Sequence, residues 1–201
     1  MQRRDRRERY LATMRPVRIS EIKTIADYQI ERETLRPKMI ALKDRRRIHL
    51  GGHLTFLFEN RETVRYQIQE MIRIESIVEL SGIRHQVATY NELIPTSGEL
   101  SASLLIEYET PEERAVKLRE LLGLENHIWL DVAGERTRAT FDQRQIATGR
   151  ISSVQYVKFP LSAAQRKNWS SGAALVCDHP RYPAERKLSA TELVELEADF
   201  R

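Results

Sequence analysis

Arginines stand at positions 61, 65 and 73 of the segment LFENRETVRYQIQEMIR, residues 57–73, and Gln69 completes a spacing of four. Four residues is close to one helical turn, so Arg61, Arg65, Gln69 and Arg73 line one stripe of a helix. Asn60 ahead of them suits an N-cap, because its side-chain oxygen can accept a free backbone N–H. A helix N-terminus attracts anions, and here its first turn lies beside Arg61 and Arg65. The group Glu59, Asn60, Arg61, Arg65, Gln69 and Arg73 is therefore a candidate site for an anionic ligand or a partner's carboxylate. Glu59 is equally close, and an exposed pair with one arginine would contribute only about 0–1 kcal/mol.

A second set carries metal-ligand atoms. Strand alternation puts His127, Trp129 and Asp131 on one face, and Cys177 and His179 are also two apart. His127, Asp131, Cys177 and His179 offer imidazole, carboxylate and thiolate. None of them falls in a CxxC, HxxxH or ExxH spacing, and one cysteine cannot hold an iron–sulfur cluster. The expectation is a protein with no cofactor, purified without stoichiometric zinc, iron or haem. Cys177 lies in the apolar run AALVCD, which suits an inert core thiol. No nucleophile elbow, phosphate loop or dinucleotide fingerprint occurs, so whether the chain is an enzyme stays open.

The elements that would position these residues can be read from periodicity. A helix is expected over about 27–46, kinked or broken at Pro37, with KDRRR stabilising its C-terminal end. Gly51 and Gly52 make a turn into a strand with Leu54, Phe56 and Phe58 on one face. The helix 61–75 buries Val64, Ile68, Met71 and Ile72. Another helix spans about 76–91. A strand follows with Ala102, Leu104 and Ile106 inward. The segment TPEERAVKLRELLG is a capped helix that turns Ala115, Leu118 and Leu122 to the core and ends at Gly123. Strands are expected at 127–133, 135–141, 151–160 and 173–178, a short helix at 162–169, and a capped helix from Ser189. The N-terminal half is helix-rich and the C-terminal half strand-rich. That order predicts an α+β fold with a mostly antiparallel sheet covered by helices.

The 201 residues suit a single domain. No apolar run approaches the roughly 18–20 residues a membrane span needs, and no signal-peptide core stands near Met1. A single cysteine suits a reducing cytoplasm. The net charge of +4 is unevenly placed. Residues 1–18 hold seven arginines against Asp5 and Glu8, whereas the remainder is nearly neutral. The expected layout is a basic tail over 1–18 and one α+β domain over 19–201. Met14 reads as a second possible translation start, which would leave residues 1–13 outside the working protein. Nucleic acid is an expected partner only through that tail, because only Tyr66 supplies a stacking ring among the helix arginines.

Several stretches together carry a family resemblance. They are ALKDRRRIHLG (41–51), FENRETVRYQIQEMIRIE (58–75), YNELIP (90–95), GELSASLLIE (98–107), GLENHIWL (123–130), ISSVQYVKFPL (151–161) and DHPRY (178–182). The chain resembles a bacterial family known as domain of unknown function 3501. That family has no established activity, and the arginine tail is an addition to its pattern. Its genes often neighbour those of rubrerythrin and an iron–sulfur, reductase-like protein. The resemblance thus implies an accessory or interaction role in cytoplasmic peroxide- or iron-linked redox work, with those two proteins as expected partners. A small enzyme or anionic-ligand binder using helix 61–75 is the second reading, and nucleic-acid binding through the tail the third.

Overall fold

The structure, a computed structural model, describes residues 14–145 and 149–200. The expectations for residues 1–13 lie outside the described residues. In chain order the elements are α1 (Ile25–Arg45), β1 (Arg47–Leu50), β2 (Leu54–Glu59), α2 (Arg61–Ile74), α3 (Leu80–Asn91) and β3 (Glu99–Ile106). Then follow α4 (Pro111–Glu120), β4 (Ile128–Val132), β5 (Glu135–Arg138), β6 (Thr140–Phe141) and β7 (Val154–Pro160). The chain ends with α5 (Ala163–Asn168), β8 (Ala173–His179), β9 (Tyr182–Lys187) and α6 (Ala190–Glu197). This is the expected α+β fold, but with two antiparallel sheets rather than one. The first runs β1-β2-β3-β7-β6 and the second β5-β4-β8-β9.

Alternation along the strands makes three layers. One face of the first sheet presents Ile48, Phe56, Phe58, Ala102, Leu104 and Phe159 to Ile128, Leu130, Leu175 and Cys177 of the second, and all belong to one buried cluster. The other face is covered by α2 and α3, whose Val64, Ile68, Ile72 and Val87 form a second cluster against Tyr156. Every residue of β2 is buried because β2 is sandwiched on both sides. That explains why its sequence is apolar at Leu57 as well as at Phe56 and Phe58.

Several expectations need correction. Pro37 does not break α1, which runs unbroken through it. Pro37 is exposed, so the carbonyl freed of its donor can turn to water. Residue Ser76 adopts φ 51°, a left-handed conformation that keeps it out of a helix, and α3 begins only at Leu80. Leu122 is 43% exposed, and Leu121 takes its expected place in the core. The reason is that α4 ends at Glu120, so helical spacing no longer applies beyond it. The strand expected over 135–141 is two strands, β5 in the second sheet and β6 in the first, divided at Ala139. Val17, placed in the tail by composition, is 2% exposed and joins the helix cluster, with its N–H donating to Asn91 Oδ1 at 2.8 Å.

The two sheets are also tied by a tyrosine. Tyr182 of β9 donates its hydroxyl to Leu50 O at 2.9 Å and accepts from the His53 N–H at 2.8 Å, clamping the β1–β2 turn. Gly51 in that turn has φ +64°, and a Cβ there would lie 2.6 Å from the Tyr182 hydroxyl oxygen. Gly51→Ala is therefore expected to cost about 2 kcal/mol, from left-handed strain plus displacement of the clamp. A thermal melt should show a fall of about 4–8 °C. An unchanged melt would mean that the clamp does not hold the turn.

Candidate functional site: a helix seam and the cleft beside it

Helix α2 forms where the sequence analysis placed it. Asn60 Oδ1 accepts the N–H groups of Glu62 and Thr63, both at 3.0 Å. Ile68 and Ile72 are buried, which fixes the stripe of Arg61, Arg65, Gln69 and Arg73 along the helix flank. That flank meets the segment leading into α1. Arg61 donates to Glu21 Oε2 at 2.7 Å and to Arg15 O at 2.8 Å. Arg61 holds the Glu21 carboxyl below its usual range. Gln69 pairs with both the N–H and the C=O of Lys23, each at 3.0 Å. Arg73 donates to Glu70 Oε2 at 3.1 Å. Arg65, half-buried, has no ion pair or side-chain hydrogen bond among the described residues.

Glu59 is separated from that stripe. It is 6% exposed, on the helix-covered face of the first sheet. Its carboxylate accepts from Ser103 Oγ at 2.7 Å and from Thr63 Oγ1. Nearby Lys43 lies 5.2 Å from the Tyr66 ring centroid. Burial lowers the Lys43 ammonium pKa, with Glu59 pulling it partly back.

Sequence reasoning missed the strongest charged group here. Residue spacing gives Glu70 no role in the stripe. It accepts from Tyr28 Oη at 2.6 Å, from Arg32 Nε at 2.7 Å and from Arg73. Burial would raise its pKa, but these three donors outweigh it and hold the carboxyl at about 2. Tyr28 and Arg32 are some forty residues away in sequence, so local spacing carries no signal of them.

The four metal candidates do not converge. His179 accepts the Arg181 N–H at Nδ1, leaving Nε2 to donate to Leu122 O, both at 3.2 Å. That tautomer has no free lone pair. His127 Nδ1 contacts Asp178 Oδ1 at 2.8 Å, and its ring meets that of His179 edge-on at 5.1 Å. Asp131 accepts from Gly134 N and Arg136. Its strand partner is Ala174, whereas Cys177 pairs with Ile128, so Asp131 and Cys177 point to opposite faces of the sheet. Burial pushes the Cys177 thiol up to about 11. Among the described residues no three His, Cys, Asp or Glu side chains form a metal-binding group.

Beside the helix seam lies a cleft of about 560 Å³. Ser101, Thr140, Tyr156 and Lys158 line it, beside Thr89 of α3 and Leu93. Register puts Thr140, Lys158 and Ser101 side by side across β6, β7 and β3. Lys158 donates to Glu99 Oε1 at 2.8 Å. Burial alone would raise the Glu99 pKa, but Lys158 and the Thr96 N–H bring it below the usual range. On the rim Arg144 bridges Asp142, at 2.7 Å, and Glu92. Burial raises the Tyr156 hydroxyl pKa. The charges of this cleft are thus already balanced within the chain.

Two antiparallel sheets face to face, with a helical layer stitched over one of them through buried carboxylates, define an α+β protein of the kind its sequence resembles. The chain belongs to the family described as Protein of unknown function (DUF3501), whose profile matches residues 16–200. It is similar to a crystal structure of a novel protein of unknown function from Burkholderia pseudomallei, at 30% identity and a TM-score of 0.87. That match covers 93% of this chain and 100% of the other. No curated protein shows significant similarity to it. Among the described residues no helix is long and apolar enough to cross a membrane.

Proposed function

We propose that this protein is a non-catalytic binding protein that takes a partner's segment in the cleft between α3, β6 and β7. One observation carries the reading. Lys158 and Arg144 are both neutralised by neighbouring carboxylates, and the hydroxyls of Ser101, Thr140 and Tyr156 stand beside the apolar Leu93 and the Tyr156 ring. Apolar surface with a few fixed polar groups is the composition of a recognition site. Acid–base catalysis would instead want a nucleophile and a base left poised against each other. The family's gene neighbourhood supports a rubrerythrin-type protein as the partner, in a peroxide- or iron-linked redox system of the cytoplasm.

The test is direct titration of the purified chain with a purified rubrerythrin-type protein by calorimetry. A complex in the micromolar range is expected, weakened at least about tenfold by Thr140→Trp, which fills the mouth of the cleft from the exposed edge of β6. No complex at roughly 100 µM, or one indifferent to Thr140→Trp, would overturn the reading.

A further inference from the structure

A second cleft, of about 520 Å³, lies on the other side of Gln145. Its volume falls within the roughly 300–1,000 Å³ of small-molecule sites. Arg114 of α4 and Arg150 stand in its lining with Gln145 and Ser152, above a floor of Leu118 and Ile151. Among the described residues no acidic side chain lines it. Neither guanidinium has an ion pair or side-chain hydrogen bond among the described residues. This contrasts with Arg61, Arg73, Arg144 and Lys158, each of which meets a carboxylate.

Four hydrogen bonds around this cleft occupy acceptors. The Gln145 carbonyl oxygen accepts the Tyr156 N–H at 2.8 Å, which leaves its amide NH₂ as the free end. Ser152 Oγ accepts the Val154 N–H at 3.2 Å, so its own proton is free to donate outward. The backbone oxygens of Ser152 and Ser153 are taken by Gln155 Nε2 at 3.1 Å and the Ile106 N–H at 2.8 Å. The Ile151 N–H is spent on Leu118 O at 3.1 Å, which pins the floor to the end of α4. What remains facing the cleft from the described residues is two permanent cations, an amide NH₂ and the hydroxyls of Ser152 and Ser153. A donor-rich, acid-free wall is complementary to an oxyanion and to little else.

We infer that this cleft is an anion-binding site for a small molecule bearing a phosphate or carboxylate group, with Arg114 and Arg150 gripping the anion and Leu118 and Ile151 meeting the apolar remainder. The site is separate from the cleft proposed for a protein partner. Calorimetric titration of the full chain at constant ionic strength tests it, with inorganic phosphate, glycerol phosphate and succinate as probes. At least one probe is expected to bind saturably at one site, and the tightest one identifies the headgroup as phosphate or carboxylate. Arg114→Gln and Arg150→Gln should each weaken that binding about tenfold or more. Both guanidiniums lack structural partners among the described residues, so the melting temperature without ligand should stay within about 1 °C. Arg114→Lys should retain part of the affinity, because charge survives without the planar fork. Absence of saturable binding by all three probes up to about 20 mM would overturn the inference. So would binding that persists undiminished in both glutamine variants.

Discussion

Arg46→Met is expected to unfold at a markedly lower urea concentration, having lost about 3–5 kcal/mol. Arg46 is 1% exposed and holds three parts of the chain together. Its Nε donates to Phe58 O at 2.8 Å, and its Nη2 donates to Glu59 O at 3.3 Å and to Asp199 Oδ2. Its Nη1 reaches Glu195 Oε1 of α6 at 3.2 Å. Methionine fills much of the volume, so the loss measures the orphaned Asp199 and the undonated carbonyls rather than a cavity. Burial pushes the Asp199 carboxyl up to about 6, against the pull of Arg46 and with Glu195 and Glu59 adding to the push. A raised carboxyl pKa means the folded chain binds the proton more readily than the unfolded one, so this term favours folding at low pH and fades as pH rises through about 6. The deficit of Arg46→Met should therefore be smaller near pH 5 than at pH 8. A deficit below about 1 kcal/mol, or one that grows on acidification, would show that the C-terminal segment does not depend on Arg46.

Glu70→Gln is the second large effect. The Glu70 carboxyl, held at about 2 in the fold, is stabilised relative to an unfolded value near 4.5. The difference corresponds to roughly 3 kcal/mol. Its sign is opposite to that of Asp199. The contribution is complete above pH 4.5 and is lost as pH falls towards 2. Glutamine keeps the shape and can still accept from Tyr28, but it brings no charge to Arg32 and Arg73. Chemical denaturation should place Glu70→Gln about 3 kcal/mol below the parent at pH 7, with the two converging near pH 2. A constant gap across that range would assign the loss to packing instead.

These two side chains also show where sequence reading stops. Arg46 sits in KDRRR, which looks like a solvated helix end, and only the position of β1 immediately after it turns the arginine inward. The short β1, RIHL, has too few residues for its alternation to stand out beside that charge run. Strand β9, YPAERK, was missed because half of it faces solvent and it contains Pro183, which suits an edge strand. By contrast α2 was legible from Asn60, Ile68 and Ile72, because cap and periodicity are local. The same spacing located the arginine stripe but not Glu21, forty residues from Arg61, nor the Tyr28 and Arg32 that join Arg73 on Glu70, since contacts over such separations leave no local pattern. Neither cleft was legible, for their walls come from segments distant in sequence that meet only in the folded chain.

One feature of the β5–β6 segment bears on how the molecule comes apart. Ala139 is the single residue between a strand of one sheet and a strand of the other, and its own N–H donates to Ile128 O at 2.8 Å. One residue spans less than about 4 Å, so neither sheet can draw away while both strands stay zipped. Amide protons of Val157 and Leu130, on opposite sides of that junction, should consequently exchange with deuterium in a single opening event, with the same free energy, even where the helical layer has already frayed.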